Sequence, residues 1–293
     1  MNYTDFKDYV INNIKFYLPE KYENYEVRFM NIKKSASNNY EGLLISPPST
    51  EKGATTTPVI NMTMEYQKYI DNEETLETVL KRMAKIRTES YLPQTEDLGK
   101  YNPKTIRMRL INTENNRKYI EDKPYREVED LTILYTYRVI EIEGEIAEAV
   151  ISNDLAEYWG VTEQELYGAA MGNMISAPYT LCHIFEYLFG IDEIPEDEET
   201  SIYILSNRQK THGACEILNS VAMKDILTDI GEFYILPSST EEVIIIPKTV
   251  AMTIKELREM VKTVNQEEVN PALQLSENIY EYDFENNTLR IIE

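Results

Sequence analysis

Cysteine, histidine and tryptophan are nearly missing from this 293-residue chain, which has two, two and one of them. Two cysteines, Cys182 and Cys215, exclude a disulfide framework and suit a reducing compartment. With only His183 and His212 beside them, a four-ligand zinc site would require the two segments to meet. Basic residues are also scarce, 29 against 51 acids, for a net charge of −22. Phosphate-binding surfaces need clustered Lys and Arg, and the longest basic runs, Lys33-Lys34 and Lys81-Arg82, are two residues long. Direct binding to nucleic acid or an anionic membrane is therefore not expected. No run approaches the roughly 20 apolar residues needed to cross a bilayer. The opening residues, MNYTDFKDYV, lack the basic flank and apolar core of a secretory signal, so a cytoplasmic location is expected. The acidity fits solubility, and mimicry of nucleic acid toward a basic partner is a weaker reading of it. Phosphate loop, dinucleotide fingerprint, HExxH and GxSxG are all missing.

What is present is globular: 42% hydrophobic residues and 10% aromatics, with 22 tyrosines. Phe6, Tyr9, Val10, Ile14 and Tyr17 recur at helical spacing over 4–17, and Pro19 ends the pattern. Strands are predicted at 25–33 and 41–46, turning through Ser37-Asn38-Asn39, and a third at about 58–66 after a Ser/Thr/Pro-rich loop. Asp71 with Glu74 reads as the cap of a helix buried through Leu76, Val79, Leu80, Met83 and Ile86. A strand at about 104–111 and a short helix at 113–121 precede two longer strands, 128–141 and 145–152, turning at Glu143-Gly144. Asn153 is placed as the cap of a helix ending at Trp159-Gly160, and Thr162 with Glu165 forms a capping box for a helix to about 173. Residues 181–188 fit strand or helix, and the acidic stretch 192–199 reads as a solvated loop. The last third reads strand (201–206), helix (215–229), a strand pair at 233–236 and 243–246 across a polar connection, helix (254–264) and terminal strands at 278–283 and 288–292. Thr253 with Glu256 repeats the capping box, and Ile254, Leu257, Val261 and Val264 form its buried stripe. The fold class is α+β, with antiparallel or mixed sheets and helices packed on them. Prolines and glycines near 92–103 suggest a soft boundary between 1–95 and 96–293, or one continuous unit.

Three clusters could carry chemistry. His212 lies three residues before Cys215 and could lower its thiol pKa, although no third orienting group is evident and an ordinary loop entering a helix explains the pair. Ser238-Ser239 beside Glu241-Glu242 could pair a hydroxyl with a base, but serines in turns commonly bond their own backbone. Arg109, Asn112, Asn116 and Asp130 surround a strand-to-helix turn and could hold a carboxylate or phosphate, or could satisfy one another, with Asp130 pairing Arg109.

Taken together, Arg109-Leu110-Ile111-Asn112 with Asn116, Pro124, Asp130-Leu131, Asn153, Trp159-Gly160-Val161 and Glu165-Leu166-Tyr167 follow one pattern. Tyr203-Ile204-Leu205-Ser206-Asn207, Gly213-Ala214, Ile235-Leu236-Pro237-Ser238-Ser239 and Glu242-Val243 continue it. Over roughly 25–290 the chain resembles an uncharacterised family, a domain of unknown function of gut Clostridia and relatives, often encoded near mobile elements. The resemblance implies no activity. It also marks two departures: a histidine often follows the proline at Pro124, where this chain has Tyr125, and another usually precedes the glutamate at Glu242, where this chain has Glu241. If those histidines carried chemistry in relatives, this chain has lost it.

The reading that leads on sequence is a non-catalytic acidic protein acting through contact with a protein partner, and the resemblance adds an accessory role on a mobile element. Its rival is an enzyme or small-ligand binder with a polar pocket around Arg109, Asn112, Asn207 and Ser238. Binding candidates are Arg109, Asn112, Asp130, Asn207, Ser238, Ser239 and Glu242. No catalytic residue, metal or cofactor is assigned. The rival requires these side chains to converge on one concavity.

Overall fold

The structure, a computed structural model, describes residues 1–33, 39–48, 57–72, 74–89, 100–142, 145–190 and 201–292. The expected turns at 37–38 and 143–144, the acidic stretch 192–199, and most of the 47–58 loop and of the 92–103 boundary lie outside them. The described chain is α+β, and its three sheets are antiparallel. It forms two compact units, Met1–Tyr101 and Asn102–Glu293.

In the first unit, helix α1 (Tyr3–Asn13) starts where the Asn2 side chain accepts the Asp5 N–H, and it buries Phe6 and Val10 four residues apart. Strands β1 (Glu26–Lys33) and β2 (Asn39–Ser46) pair antiparallel, with Lys33 opposite Asn39. Strand β3 is only Val59–Asn61, beside β2. The expected strand to residue 66 is therefore mostly helix. Asn61 accepts the Met64 N–H and caps α2 (Met62–Asp71), a local hydrogen bond that ends the strand. Asp71 closes α2 rather than opening α3 (Leu76–Glu89). Thr75 meets the free N–H of Thr78 at the start of α3 instead. Phe6, Val10, Leu43, Ile45, Ile60, Met62, Val79, Leu80 and Met83 form the core, Leu43 and Ile45 sharing one face of β2 by the strand's two-residue period. Arg87 is buried in it, its Nε donating to the Ile45 carbonyl while its guanidinium lies over the Tyr22 and Tyr25 rings at 4.7 and 5.5 Å.

The second unit holds two sheets. In the smaller, β6 (Leu131–Ile142) is flanked on one side by β4 (Ile106–Asn112) and on the other by β5 (Tyr125–Val128) and β7 (Glu145–Val150). Strand β5 is too short and too polar to read from the sequence; only its register with 131–134 of β6 defines it. Helix α4 (Thr113–Ile120) follows β4, capped by Asn112. Helix α5 (Asn153–Trp159) is capped by Ser152, one residue before the expected Asn153. Helix α6 (Glu163–Ile175) opens on the capping box predicted at Thr162 and Glu165.

The larger sheet has the order β13-β12-β10-β11-β9-β8, built from β8 (Tyr179–His183), β9 (Tyr203–Asn207), β10 (Phe233–Leu236), β11 (Val243–Pro247), β12 (Tyr280–Asp283) and β13 (Thr288–Ile291). The ambiguous stretch near 181–188 is both forms in turn: β8, then the short helix α7 (Ile184–Phe189), with the His183 Nδ1 accepting the Phe185 N–H at the junction. Strand β11 lies between β9 and β10, and Val243 through Ile246 are all buried, the continuous apolar run that a strand covered on both faces requires. Helix α9 (Ile254–Glu267), with its Thr253/Glu256 box, lays Leu257 and Val261 against Ile204, Leu236, Ile244, Ile246 and Ile279. The predicted 215–229 helix is divided: a 3-10 segment, Gly213–Leu218, precedes α8 (Ser220–Ile230), and Asn219 caps α8 between them. No helix among the described residues is long and apolar enough to cross a membrane.

Candidate functional site

The loop that leaves β9 is closed by one side chain. Asn207 accepts the Thr211 N–H through Oδ1 and donates Nδ2 to the Thr211 carbonyl at 2.8 Å. The turn leaves His212 in the left-handed region at φ 53°, which an L-residue with a Cβ occupies at a cost of about 1 kcal/mol. Gly213 then packs where no side chain fits, since a Cβ there would lie 2.5 Å from the Glu241 carbonyl and 2.7 Å from the Asn207 nitrogen. This close approach presses the 3-10 segment onto β9 and sets His212 beside the connection between β10 and β11.

Glu241 meets it there. Its Oε2 accepts the His212 N–H at 3.3 Å, its Oε1 accepts the Thr240 hydroxyl at 2.9 Å, and that Oε1 lies 3.7 Å from His212 Nδ1. Nδ1 is buried and makes no hydrogen bond, while about a quarter of the His212 side chain stays accessible. The accessible part belongs to the wall of a cavity of about 630 Å³. Arg107 and Met108 of β4, Arg138 of β6, Glu148 of β7 and Asn173 of α6 form other parts of that wall. Asn207, Cys215 and Glu216 complete the side that His212 belongs to. Two arginines and one glutamate on strands, and a second glutamate on the 3-10 segment, thus line the same cavity as the histidine.

Burial and the nearby Arg109 charge hold His212 below the ordinary histidine range, against the opposing pull of Glu241 and Glu148. It is a neutral imidazole at neutral pH. Burial pushes Glu216 up to about 7 despite the hydrogen bond it accepts from Asn219 at 2.8 Å. Burial likewise pushes the Cys215 thiol up, and its Sγ contacts the Met108 carbonyl at 3.3 Å. A buried, protonated thiol is a poor nucleophile, so the partner that His212 finds is Glu241, not Cys215. Arg107 is oriented by main chain: its Nη1 donates to the Lys104 and Ile106 carbonyls, both at 2.8 Å. Glu148 accepts the Thr136 hydroxyl and stands directly opposite Arg138 in the β6–β7 ladder.

The sequence candidates divide among three places. Asn207 lines the cavity, and Arg109 acts on it through charge while its Nη2 donates to the Tyr119 hydroxyl at 2.7 Å. Asn112 caps α4 with Oδ1 and donates Nδ2 to the Leu275 carbonyl at 2.7 Å. Asp130 receives Ser276 Oγ, Asn278 Nδ2 and the Tyr280 hydroxyl. Both therefore fasten the 275–280 segment. Ser238 and Ser239 are buried in the turn behind Glu241, where Ser239 Oγ accepts the Glu241 N–H, and Glu242 accepts the Tyr187 hydroxyl at 3.2 Å. Burial raises the Glu242 carboxyl. Arg107, Arg138, Glu148, Asn173 and Glu216 carried no local signal: they come from five elements and meet only in the fold. Glu241, noted for the histidine it replaces, turns out to back His212.

A polar cavity between the edge strand of one antiparallel sheet and a loop leaving a second defines an α+β protein with an internal ionisable site. The chain belongs to a family of unknown function, DUF5688, which it matches over residues 3–284. No curated protein and no solved structure matches it.

Proposed function

We propose that this protein binds a small polar molecule in the cavity of its second unit. The observation that carries the reading is the enclosure of His212, Glu216, Arg107 and Arg138 around one space of about 630 Å³, a volume suited to a metabolite-sized ligand. Titratable groups whose pKa burial shifts, here His212 and Glu216, lining one concavity are a physical mark of a binding or catalytic site. The proposed setting is the cytoplasm, on the ground of cysteine usage and the lack of a secretory signal pattern, in gut Clostridia near a mobile element, as the family resemblance implies. Direct contact with nucleic acid has no part in it.

The test is a screen of small polar compounds against the full chain by amide NMR, repeated with Gln209→Trp, which places a large side chain at an exposed residue of the rim. Shifts confined to the lining residues and lost in the variant are expected. A screen in which no compound moves those signals would remove the proposal. Contact with a protein partner is the second reading, supported by Leu188 and Phe189, which α7 exposes at 60% and 63%. Co-purification from a native lysate that is lost in a Leu188→Ser, Phe189→Ser variant is its expected result.

A further inference from the structure

The two histidines of the chain meet opposite demands on their ring nitrogens. His183 Nδ1 accepts the Phe185 N–H at 3.3 Å, so a neutral His183 carries its proton on Nε2. His212 Nδ1 is sealed from solvent and makes no hydrogen bond among the described residues, and Glu241 Oε1 stands 3.7 Å from it. A bare lone pair on that nitrogen would set a second electron-rich atom beside a carboxylate with no water to screen the two, whereas an N–H there is attracted. Glu241 is itself held, its Oε2 accepting the His212 main-chain N–H at 3.3 Å and its Oε1 the Thr240 hydroxyl at 2.9 Å. With Nδ1 buried, the distal edge of the ring, Nε2 with Cδ2, is the part left to the cavity wall. Charges approach the ring from several elements: Arg109 of β4 opposes protonation, Glu148 of β7 and Glu241 favour it, and Arg138 of β6 with Cys215 and Glu216 of the 3-10 segment shares the wall. Burial decides the balance, and the ring is neutral at neutral pH.

We propose that His212 is the proton-accepting group of the cavity, that Glu241 is its positioning residue, and that the ligand is a small molecule presenting an O–H or N–H to Nε2. The inference rests on the reading that the cavity binds a ligand. Glu241 keeps the ring proton on Nδ1, so Nε2 offers its lone pair. In the proton transfer the O–H or N–H bond of the ligand breaks, its electron pair stays on the ligand, and the proton goes to Nε2. The imidazolium formed has its Nδ1–H beside the Glu241 carboxylate, which offsets the new charge.

Nitrogen-15 NMR of the full chain, labelled at histidine and held at pH 8, separates a protonated ring nitrogen from a bare one. His212 is expected to be protonated at Nδ1 and bare at Nε2, and His183 the reverse. Glu241→Gln is the deciding variant. The His212 main-chain N–H requires the oxygen of the new amide, while the Thr240 hydroxyl can turn from donor to acceptor, so the amide nitrogen is left beside Nδ1 and donates to it. The ring proton of His212 should then move to Nε2, a change that a merely structural Glu241 would not cause. Diethyl pyrocarbonate acylates a bare ring nitrogen that it can reach. Read by peptide mass, it should modify His212, spare His183 at 5% exposure, and act several-fold more slowly on His212 in Glu241→Gln. A parent His212 protonated at Nε2, or one tautomer shared by parent and variant, overturns the proposal and leaves ligand binding intact. Screened compounds that move the lining signals but not that of Nε2 overturn it in the same way. No response of the lining to any compound removes both readings.

Discussion

Glu216 should make the second unit more stable when its charge is removed. The carboxyl is 3% exposed and titrates at about 7 in the folded chain, against 4.5 for an unperturbed glutamate. Between those values the folded state keeps a proton that the unfolded state has lost. The group's stabilising contribution is therefore full below about 4.5 and is lost as the pH rises through about 7. At pH 8 the buried carboxylate costs about 3 kcal/mol relative to its protonated form, and at pH 5 about 1 kcal/mol. Glu216→Gln keeps an oxygen to accept the Asn219 hydrogen bond and carries no charge at either pH. Its stability relative to the parent should thus grow by about 2 kcal/mol from pH 5 to pH 8. The assay is urea denaturation followed by tryptophan fluorescence. Trp159, the single tryptophan, lies in the second unit, its ring edge-on to Tyr137 at 5.3 Å, so the signal reports on that unit. Comparing the variant with the parent at each pH cancels the titration of His212 and Glu242. An equal stability difference at pH 5 and pH 8, or one that shrinks toward pH 8, would refute the claim that burial raises this carboxyl.

Gly213→Ala should lower stability by about 1–3 kcal/mol in the same assay, because its Cβ meets the Glu241 carbonyl, the Asn207 nitrogen and the Ser206 hydroxyl. A variant as stable as the parent would show that the 3-10 segment can move off β9. Asp130→Ala leaves Ser276, Asn278 and Tyr280 without their shared acceptor, and a loss of about 2–4 kcal/mol is expected by urea denaturation. Cys215, 4% exposed with a raised thiol, should resist an aromatic disulfide reagent at pH 7.5 until the chain unfolds, while the half-buried Cys182 is labelled slowly in the native state. Rapid native labelling of Cys215, read by peptide mass, would contradict its placement.

Periodicity made most elements legible. The capping boxes at Thr162/Glu165 and Thr253/Glu256 and the strand pair at 233–236 and 243–246 depend on residues a few positions apart, and all three stand in the structure. Where neighbours compete, the reading slipped. Residues 62–66 are apolar enough for a strand, but Asn61 captures the Met64 N–H and starts a helix. Strand β5 has a polar, exposed pattern that becomes a strand only by pairing with β6.

The sequence by itself determined the α+β class, the caps, the buried run of β11 and the net charge, because each follows from local spacing or from a sum over residues. The cavity was decided by tertiary structure alone. Arg107, Arg138, Glu148, His212, Glu216 and Glu241 span 135 positions (107 to 241, both included) and share no period. They meet because Gly213 lets one segment lie against β9 while the Cys215 thiol reaches the edge of β4. Burial at that junction then set the charge states, and burial is a property of the packed fold, not of any window of residues.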